Sequence, residues 1–247
     1  MSHRSIIAII PARMAATRLP GKPLIEIAGK PMIQWVYEAA IKAARVEEVI
    51  VATPDEEIAD AIAEFDGRAV MTSPDHRSGT DRLAEAAAML SDDDIVLNIQ
   101  GDEPLIPPEA IDSLINPLIG SDAPEMTSLM RRITSEEAEN PNLVKVVVDR
   151  SGKALYFSRS VIPYNRDNLS DVIVYGHIGL YGYSVGTLKA FSRLEPTPLE
   201  LAESLEQLRA IENGWRIQMI ETDFNPVGVD TEEDLAKVRK ILEGSAV

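Results

Sequence analysis

The sequence contains no cysteine among its 247 residues. Disulfide bonds, thiolate metal sites and cysteine nucleophiles are therefore excluded, and nothing requires an oxidising compartment. No apolar run approaches the length of a transmembrane helix, and the run Ile6–Ile10 is too short for a signal peptide. These absences lead us to expect a cytoplasmic protein without a membrane segment.

Positive charge is scarce, with 24 Lys and Arg against 40 Asp and Glu and a formal net charge of −16. A general nucleic-acid binder needs a basic face, so this balance argues against that class of protein. The N-terminal region is the exception, because no acidic residue precedes Glu26. A basic loop in an acidic body can concentrate the electrostatic field on one site and bind a small anion.

Apolar strand-like segments alternate with helix-like segments over the first half of the chain. The strand-like segments are SIIAII, EEVIVAT, RAVMT and DIVLNIQ. The segments with helical periodicity are KPMIQWVYEAAIKAA, DEEIADAIAEF, TDRLAEAAAML and PPEAIDSLINPLI. This alternation predicts an α/β fold with a doubly wound, mostly parallel sheet covered by helices on both faces.

The second half is richer in β structure. LVKVVVDRSGKALYFS predicts a hairpin that turns at 149–152, and HIGLYGYSV predicts another strand. One helix is predicted for PLELAESLEQLRAIENG, followed by the strand RIQMIE and the helix DTEEDLAKVRKIL. We therefore expect one domain over residues 1–247, with a β-rich lobe inserted at about 126–190.

The loop after the first strand, within IIPARMAATRLPGKPL, contains Arg13, Arg18 and Lys22. Ligands of open α/β sheets bind beyond the carboxyl ends of strands, so a cationic loop here suits a phosphate chain. A P-loop is excluded, because Pro23 follows Lys22 and Ala16 stands where the first glycine is required. The alternative is a solvated loop whose cations balance an acidic surface.

Motifs spread over almost the whole chain resemble the cytidylyltransferase family that activates 3-deoxy-manno-octulosonate (Kdo). They are the opening loop followed by GKPMIQWVYEAA, MTSPDHRSGTDRLAEA, NIQGDEPLIPP, NPNLVKVV, ALYFSRSVIPY, HIGLYGY, LELAESLEQLRAIENG and VGVDTEEDL. Relatives that activate sialic acid share the first motif in outline, whereas ALYFSR, HIGLYGY and ESLEQLR together are more specific to the Kdo branch. The resemblance implies a fold of the nucleotide-diphospho-sugar transferase type. It also implies a homodimer, with the β-rich lobe serving sugar binding or dimerisation.

The implied reaction transfers CMP from CTP to the anomeric hydroxyl of an acidic 2-keto sugar and releases pyrophosphate, for the inner core of lipopolysaccharide. Such a transfer needs positioning and charge neutralisation more than covalent catalysis. The resemblance assigns Lys22, Arg13 and Asp102 to catalysis, with Lys22 stabilising charge at the α-phosphate. The implied nucleotide-binding residues are Pro11, Arg13, Arg18, Lys22, Arg77 and Ser78. The alternative for HRSGTDR is a plain helix cap beside a surface arginine.

Two aspartates are the candidate metal ligands. Asp102 follows the apolar strand Ile95–Ile99, and Asp230 lies between a loop and the last helix. Mg²⁺ takes few protein carboxylates and keeps substrate oxygens and waters, which fits this pair. The alternatives are that Asp230 or Thr231 caps the helix and that GDEP is a turn. The resemblance favours the metal role, and we expect two Mg²⁺ ions.

The resemblance places the sugar against His177 and Tyr181, which strand alternation puts on one face. A lone strand histidine is otherwise more often structural. Arg159 is expected to bind the sugar carboxylate through its planar guanidinium. The remaining implied sugar-binding residues are Gln100, Glu206 and Gln207, although residues 206–207 also suit a solvated helix face.

Three alternatives stay open. Gly176 stands where several relatives carry a basic residue, and the segment before it is shorter, so 8-amino-Kdo is a second candidate substrate. Another acidic sugar is a third candidate. A regulatory protein that binds CTP without catalysis is the alternative of a different class, and the presence of both candidate metal carboxylates argues against it.

Overall fold

The computed structural model describes residues 4–15, 19–76, 78–167 and 169–244. Its strands are β1 (Ile6–Pro11), β2 (Glu26–Ile27), β3 (Lys30–Pro31), β4 (Glu48–Thr53), β5 (Ala69–Met71), β6 (Ile95–Asn98), β7 (Met126–Ile133), β8 (Lys145–Val148), β9 (Ala154–Ser158), β10 (Val174–Ser184) and β11 (Ile217–Glu221). Its α-helices are α1 (Met32–Lys42), α2 (Glu56–Ala63), α3 (Gly79–Ala86), α4 (Pro108–Ser113), α5 (Asn116–Ile119), α6 (Ser135–Ala138), α7 (Val185–Phe191), α8 (Pro198–Glu203), α9 (Gln207–Glu212) and α10 (Glu232–Gly244).

A mixed central sheet organises the chain in the strand order β11-β7-β10-β6-β1-β4-β5. Six of these seven strands run in one direction, and β10 is antiparallel to both of its neighbours. The hairpin of β8 and β9 extends the sheet from the start of β10. The predicted mostly parallel α/β sheet is confirmed.

Both faces of the sheet are buried, which explains the continuous apolar runs of β1 and β6. Along β1, Ile6, Ala8 and Ile10 pack into the core beneath α1 and α4. The alternate residues Ile7 and Ile9 pack into the core beneath α3 and α7. The double winding therefore follows from period-two burial on two apolar faces.

Strand β7 was not predicted, although it pairs with both β10 and β11. Its apolar pattern is interrupted by Thr127 and Ser128, which are nevertheless fully buried. The hydroxyl of Thr127 donates to the carbonyl of Leu114 at 2.9 Å, and that of Ser128 donates to the carbonyl of Leu180 at 2.8 Å. Strands β7 and β10 lie in the central sheet, and the predicted hairpin with its turn at 149–152 is confirmed as β8 and β9.

Two segments that were each predicted to form one continuous helix form two helices each. The segment 198–214 breaks at Ser204, whose φ of 52° is left-handed, so that α8 and α9 are separate. The segment 107–119 divides into α4 and α5, since Pro117 lacks the N–H that would continue the helix.

Within the described ranges, no helix combines the length and the apolar character needed to cross a bilayer.

Candidate active site

A cavity of about 370 Å³ opens at the carboxyl ends of β1 and β6, where ligands of open α/β sheets bind. Its walls come from the first loop, the start of α3, the segment after β6 and the loop before α10. The lining residues are Pro11, Ala12, Arg13, Ala15, Leu19, Lys22, Pro23, Met32, Ser78, Gly79, Arg82, Gln100, Gly101, Asp102 and Asp230.

Lys22 joins the two candidate metal ligands. Its Nζ donates to Oδ2 of Asp102 at 2.6 Å and to Oδ1 of Asp230 at 3.0 Å, across 80 and 208 residues of sequence. Burial lowers the pKa of Lys22, but the two carboxylates outweigh this and leave the pKa above its usual value. The lysine is therefore a permanent cation at neutral pH, held between two anions.

The GKPL sequence explains how Lys22 reaches this position. Gly21 has a left-handed φ of 69°, which glycine adopts at little cost, and Pro23 supports a 3-10 turn over Lys22–Leu24. The backbone N–H of Gly21 donates to the carbonyl of Met14 at 3.2 Å, and the N–H of Met14 donates to Oδ2 of Asp55 at 2.7 Å. The loop is thus fastened at its base, and Lys22 projects from a fixed turn.

Arg82 is a cavity residue that the sequence analysis did not identify. Its side chain is buried, and Nη1 donates to Oγ1 of Thr72 and, at 3.3 Å, to the carbonyl of Ser73. Burial is the main cause that lowers its pKa, and the neighbouring Arg13 adds to the effect. Its spacing of four residues from Ser78 on α3 was the available signal, because such residues share a helix face.

The start of α3 serves both as a helix cap and as a wall of the cavity, the two roles considered for the HRSGTDR motif. Ser78 forms a capping box with Asp81, in which Oγ of Ser78 accepts from the N–H of Asp81 at 3.1 Å. Ser78 also lines the cavity, together with the predicted residues Pro11 and Arg13. Arg18 and Arg77 lie outside the described residues.

The predicted sugar-binding residues His177 and Tyr181 come together at a bulge in β10. The register against β7 shifts between Ile178 and Tyr181, yet the rings of His177 and Tyr181 lie 5.6 Å apart. Gln100 reaches the same bulge, since Nε2 donates to the carbonyl of Gly179 at 3.2 Å. The bulge therefore connects β10 to the rim of the cavity.

His177 is buried and electrically neutral. Its Nε2 lies 2.9 Å from Oγ of Ser128, and its ring packs against Phe157 with centroids 4.9 Å apart. Burial lowers the pKa of His177 to about 3. The neutral ring can therefore orient a neighbouring side chain and can donate or accept a hydrogen bond. It supplies no positive charge for the carboxylate of a sugar.

Glu206 and Gln207 are partly or fully inside the molecule, not on a solvated helix face. Gln207 is buried at 5% exposure, and Glu206 is half-buried with Oε2 accepting from Oγ1 of Thr80 at 2.5 Å. Burial raises the pKa of Glu206, against the opposing influence of Thr80 and Arg209.

Arg159 braces the break between α8 and α9. Its guanidinium donates to the carbonyls of Glu203 at 2.8 Å, Pro141 at 3.1 Å and Ser204 at 3.4 Å. Its backbone N–H donates to Oε2 of Glu203 at 2.9 Å. This conformation fixes the loop that carries Glu206, while binding of the sugar carboxylate by Arg159 stays a prediction.

Comparison with known proteins gives a consistent result. A family model described as cytidylyltransferase matches residues 7–220. The 3-deoxy-manno-octulosonate cytidylyltransferase of Geobacter metallireducens is 55% identical over 244 residues, which are 94% of this chain and 96% of the relative. The enzyme of the same name from Vibrio vulnificus is 49% identical over 247 residues, 96% and 98% of the two chains.

Solved structures show the same relationship. A CMP:2-keto-3-deoxy-manno-octonic acid synthetase complexed with CTP superposes with a TM-score of 0.93 at 44% identity, over 98% of this chain and 99% of the other. A 4-diphosphocytidyl-2C-methyl-D-erythritol synthase, at 18% identity, superposes with a TM-score of 0.67 over 98% of this chain and all of its own, and shares the fold.

Proposed function

The chain belongs to the cytidylyltransferase family, and from this premise we propose that it transfers the CMP moiety of CTP to the anomeric hydroxyl of Kdo. The products are CMP-Kdo, for the inner core of lipopolysaccharide, and pyrophosphate. The observation that carries the proposal is the junction of Lys22 with Asp102 and Asp230 inside one cavity. The full-length similarity to named Kdo cytidylyltransferases supports the choice of sugar.

The chain's own cations perform the electrostatic part of the reaction. Arg13, Lys22 and Arg82 line the cavity and offset the negative charge of a triphosphate. Because two anionic substrates repel each other, this neutralisation is needed before their reacting atoms can meet. Lys22 keeps its charge at neutral pH, so it can stabilise the charge that develops at the α-phosphate as pyrophosphate leaves.

Asp102 and Asp230 fit Mg²⁺ as its protein ligands. Both carboxylates already contact one cationic atom, Nζ of Lys22, so their oxygens converge on a position that a positive charge can share. The described residues hold no cluster of three or more Asp, Glu, His or Cys suited to a metal, which matches an ion completed by substrate oxygens and waters. When bound, Mg²⁺ would lower the pKa of the sugar hydroxyl and offset triphosphate charge.

The sugar pocket proposed here surrounds the β10 bulge. Gln100, Tyr181 and Glu206 offer polar groups beside the cavity, and the neutral His177 packs against Tyr181. Gly176 is tightly packed, because a Cβ atom there would lie 2.8 Å from Cγ2 of Ile133. A basic side chain at this position is therefore disfavoured by packing, so its absence does not point to 8-amino-Kdo.

We also propose a homodimer. Exposed apolar side chains are frequent along 155–173, within the β-rich segment 126–190, and burial of such side chains favours association. They are Leu155 (58% exposed), Val161 (39%), Tyr164 (86%), Leu169 (62%) and Ile173 (44%). Sedimentation velocity at micromolar concentration should give twice the mass of 27.0 kDa, and a monomer mass would contradict the proposal.

Steady-state pyrophosphate release with CTP and Mg²⁺ tests the choice of sugar. We expect the highest kcat/KM with Kdo, a lower value with 8-amino-Kdo, and negligible turnover with sialic acid. A higher kcat/KM with 8-amino-Kdo than with Kdo would identify 8-amino-Kdo as the substrate. CTP binding without pyrophosphate release from any of the three sugars would favour a regulatory protein instead.

A further inference from the structure

Thr80, near the start of α3, connects the nucleotide cavity to the proposed sugar pocket. Ser78 and Gly79, which precede it, line the cavity. The Thr80 side chain is buried and faces the other way, with Oγ1 donating to Oε2 of Glu206 at 2.5 Å. One helical turn therefore contacts the cavity and fixes a carboxylate that belongs to a different part of the chain.

Glu206 has one oxygen fixed and one oxygen available. Its Oε1 is buried and has no partner within hydrogen-bond distance among the described residues, although the Ser78 side chain lies close enough to Glu206 to lower its pKa. Nη2 of Arg209 lies 3.7 Å from Oε1, which is within ion-pair distance but too long for a hydrogen bond. A buried acceptor without a donor is costly, so Oε1 is suited to accept a hydrogen bond from a ligand.

The position of Glu206 depends on contacts between distant segments. The left-handed Ser204 ends α8 and redirects the chain, and Arg159 holds the carbonyls of Glu203 and Ser204. The break brings Glu206 against α3, where Thr80 restrains the carboxylate itself. Without that hydroxyl, the carboxylate keeps its location on the backbone but loses its fixed rotamer.

We propose that Thr80 is a positioning residue that fixes Glu206 through Oε2, so that Oε1 accepts a hydroxyl of the sugar. The inference rests on the proposed function, because it takes Kdo as the ligand of Glu206. Thr80 acts through Glu206 and does not itself touch the substrate. Its effect should therefore fall on the sugar and not on CTP, although Thr80 directly follows Gly79, which lines the nucleotide cavity.

The test compares kinetic constants of Thr80→Val, Thr80→Ser and the wild type. Valine keeps the shape but removes the donor, and we expect it to raise the KM for Kdo about tenfold, the usual cost of a hydrogen bond to a charged group. The KM for CTP should change less than twofold, and serine should restore the KM for Kdo. Thr187→Val is the matched control, because Thr187 also lies in the first turn of a helix and its hydroxyl contacts Ser184 at 2.9 Å.

A double-mutant cycle with Glu206→Ala, which removes the acceptor, separates positioning from general damage. If Thr80 acts through Glu206, the double variant should have the same kcat/KM for Kdo as Glu206→Ala alone. The inference would be overturned if the losses of kcat/KM in the two single variants multiplied in the double variant. It would also be overturned if Thr80→Val raised the KM for CTP as much as the KM for Kdo. If the wild type fails to turn over Kdo, the proposed function is contradicted. The urea unfolding midpoints of the same four proteins then test the contact between Thr80 and Glu206 by itself. Additive changes in the midpoint would overturn this contact, and non-additive changes would support it.

Discussion

Replacing Lys22 by alanine is expected to lower kcat about 100-fold or more, the usual cost of removing one hydrogen-bond donor that stabilises the transition state. The variant loses a cation that is fixed by two carboxylates at 2.6 and 3.0 Å. It also leaves Asp102 and Asp230 facing each other without the charge that now separates them, so the loss affects the triphosphate and the proposed metal ligands together. Steady-state pyrophosphate release with saturating CTP and Kdo measures the effect.

Lys30→Ala is the matched control for Lys22. The ammonium group of Lys30 pairs with Glu38 at 2.7 Å, and neither residue lines the cavity, so turnover should be unchanged. Circular dichroism should show the same fold for both variants. Lys22→Arg should recover part of the activity, because it keeps the charge in a different geometry. Wild-type turnover in Lys22→Ala would remove Lys22 from the reaction.

Asp102→Asn is expected to lower kcat/KM about 1,000-fold, because it removes the charge of a proposed metal ligand and of the shorter ion pair with Lys22. The substitution keeps the size of the side chain and removes its charge. The Mg²⁺ concentration needed for half-maximal rate should also rise. This second measurement distinguishes a metal ligand from a residue that only holds Lys22, since loss of a ligand weakens the binding of Mg²⁺ directly.

Asp93→Asn provides the control for Asp102→Asn. Asp93 is exposed and lies just before β6, at the opposite end of the strand from the cavity. It should change neither the rate nor the dependence on Mg²⁺. Should Asp102→Asn alter the rate but leave the Mg²⁺ dependence untouched, Asp102 would be a partner of Lys22 and not a ligand.

The local sequence determines much of the sheet but not all of it. Strand β1 is predictable because every residue from Ile6 to Ile10 is buried and apolar. Strand β7 was not predicted because Thr127 and Ser128 are residue types typical of a surface. Both are buried in the fold because their hydroxyls donate hydrogen bonds to carbonyls that are distant in sequence. The break at Ser204 is likewise stabilised by Arg159, 45 residues earlier, which no helical periodicity can reveal.

In the candidate site too, some residues were predictable from their type, whereas their contacts were not. The basic loop and the two aspartates were identified because their residue types suit a triphosphate and a metal, whereas their junction depends on folding. Arg82 and Thr80 were missed because they lie in a segment that looks like an ordinary amphipathic helix. Their roles come from contacts with Thr72 and Glu206, 10 and 126 residues away in sequence.

A crystal structure with CTP, Mg²⁺ and an unreactive Kdo analogue tests the convergence of charges most directly. We predict the triphosphate in the cavity beside β1, with phosphate oxygens on Lys22, a metal ion on oxygens of Asp102 and Asp230, and the sugar hydroxyl facing the α-phosphate. A triphosphate bound elsewhere, with both aspartates turned away from any metal, would contradict the assignment of this cavity as the catalytic centre.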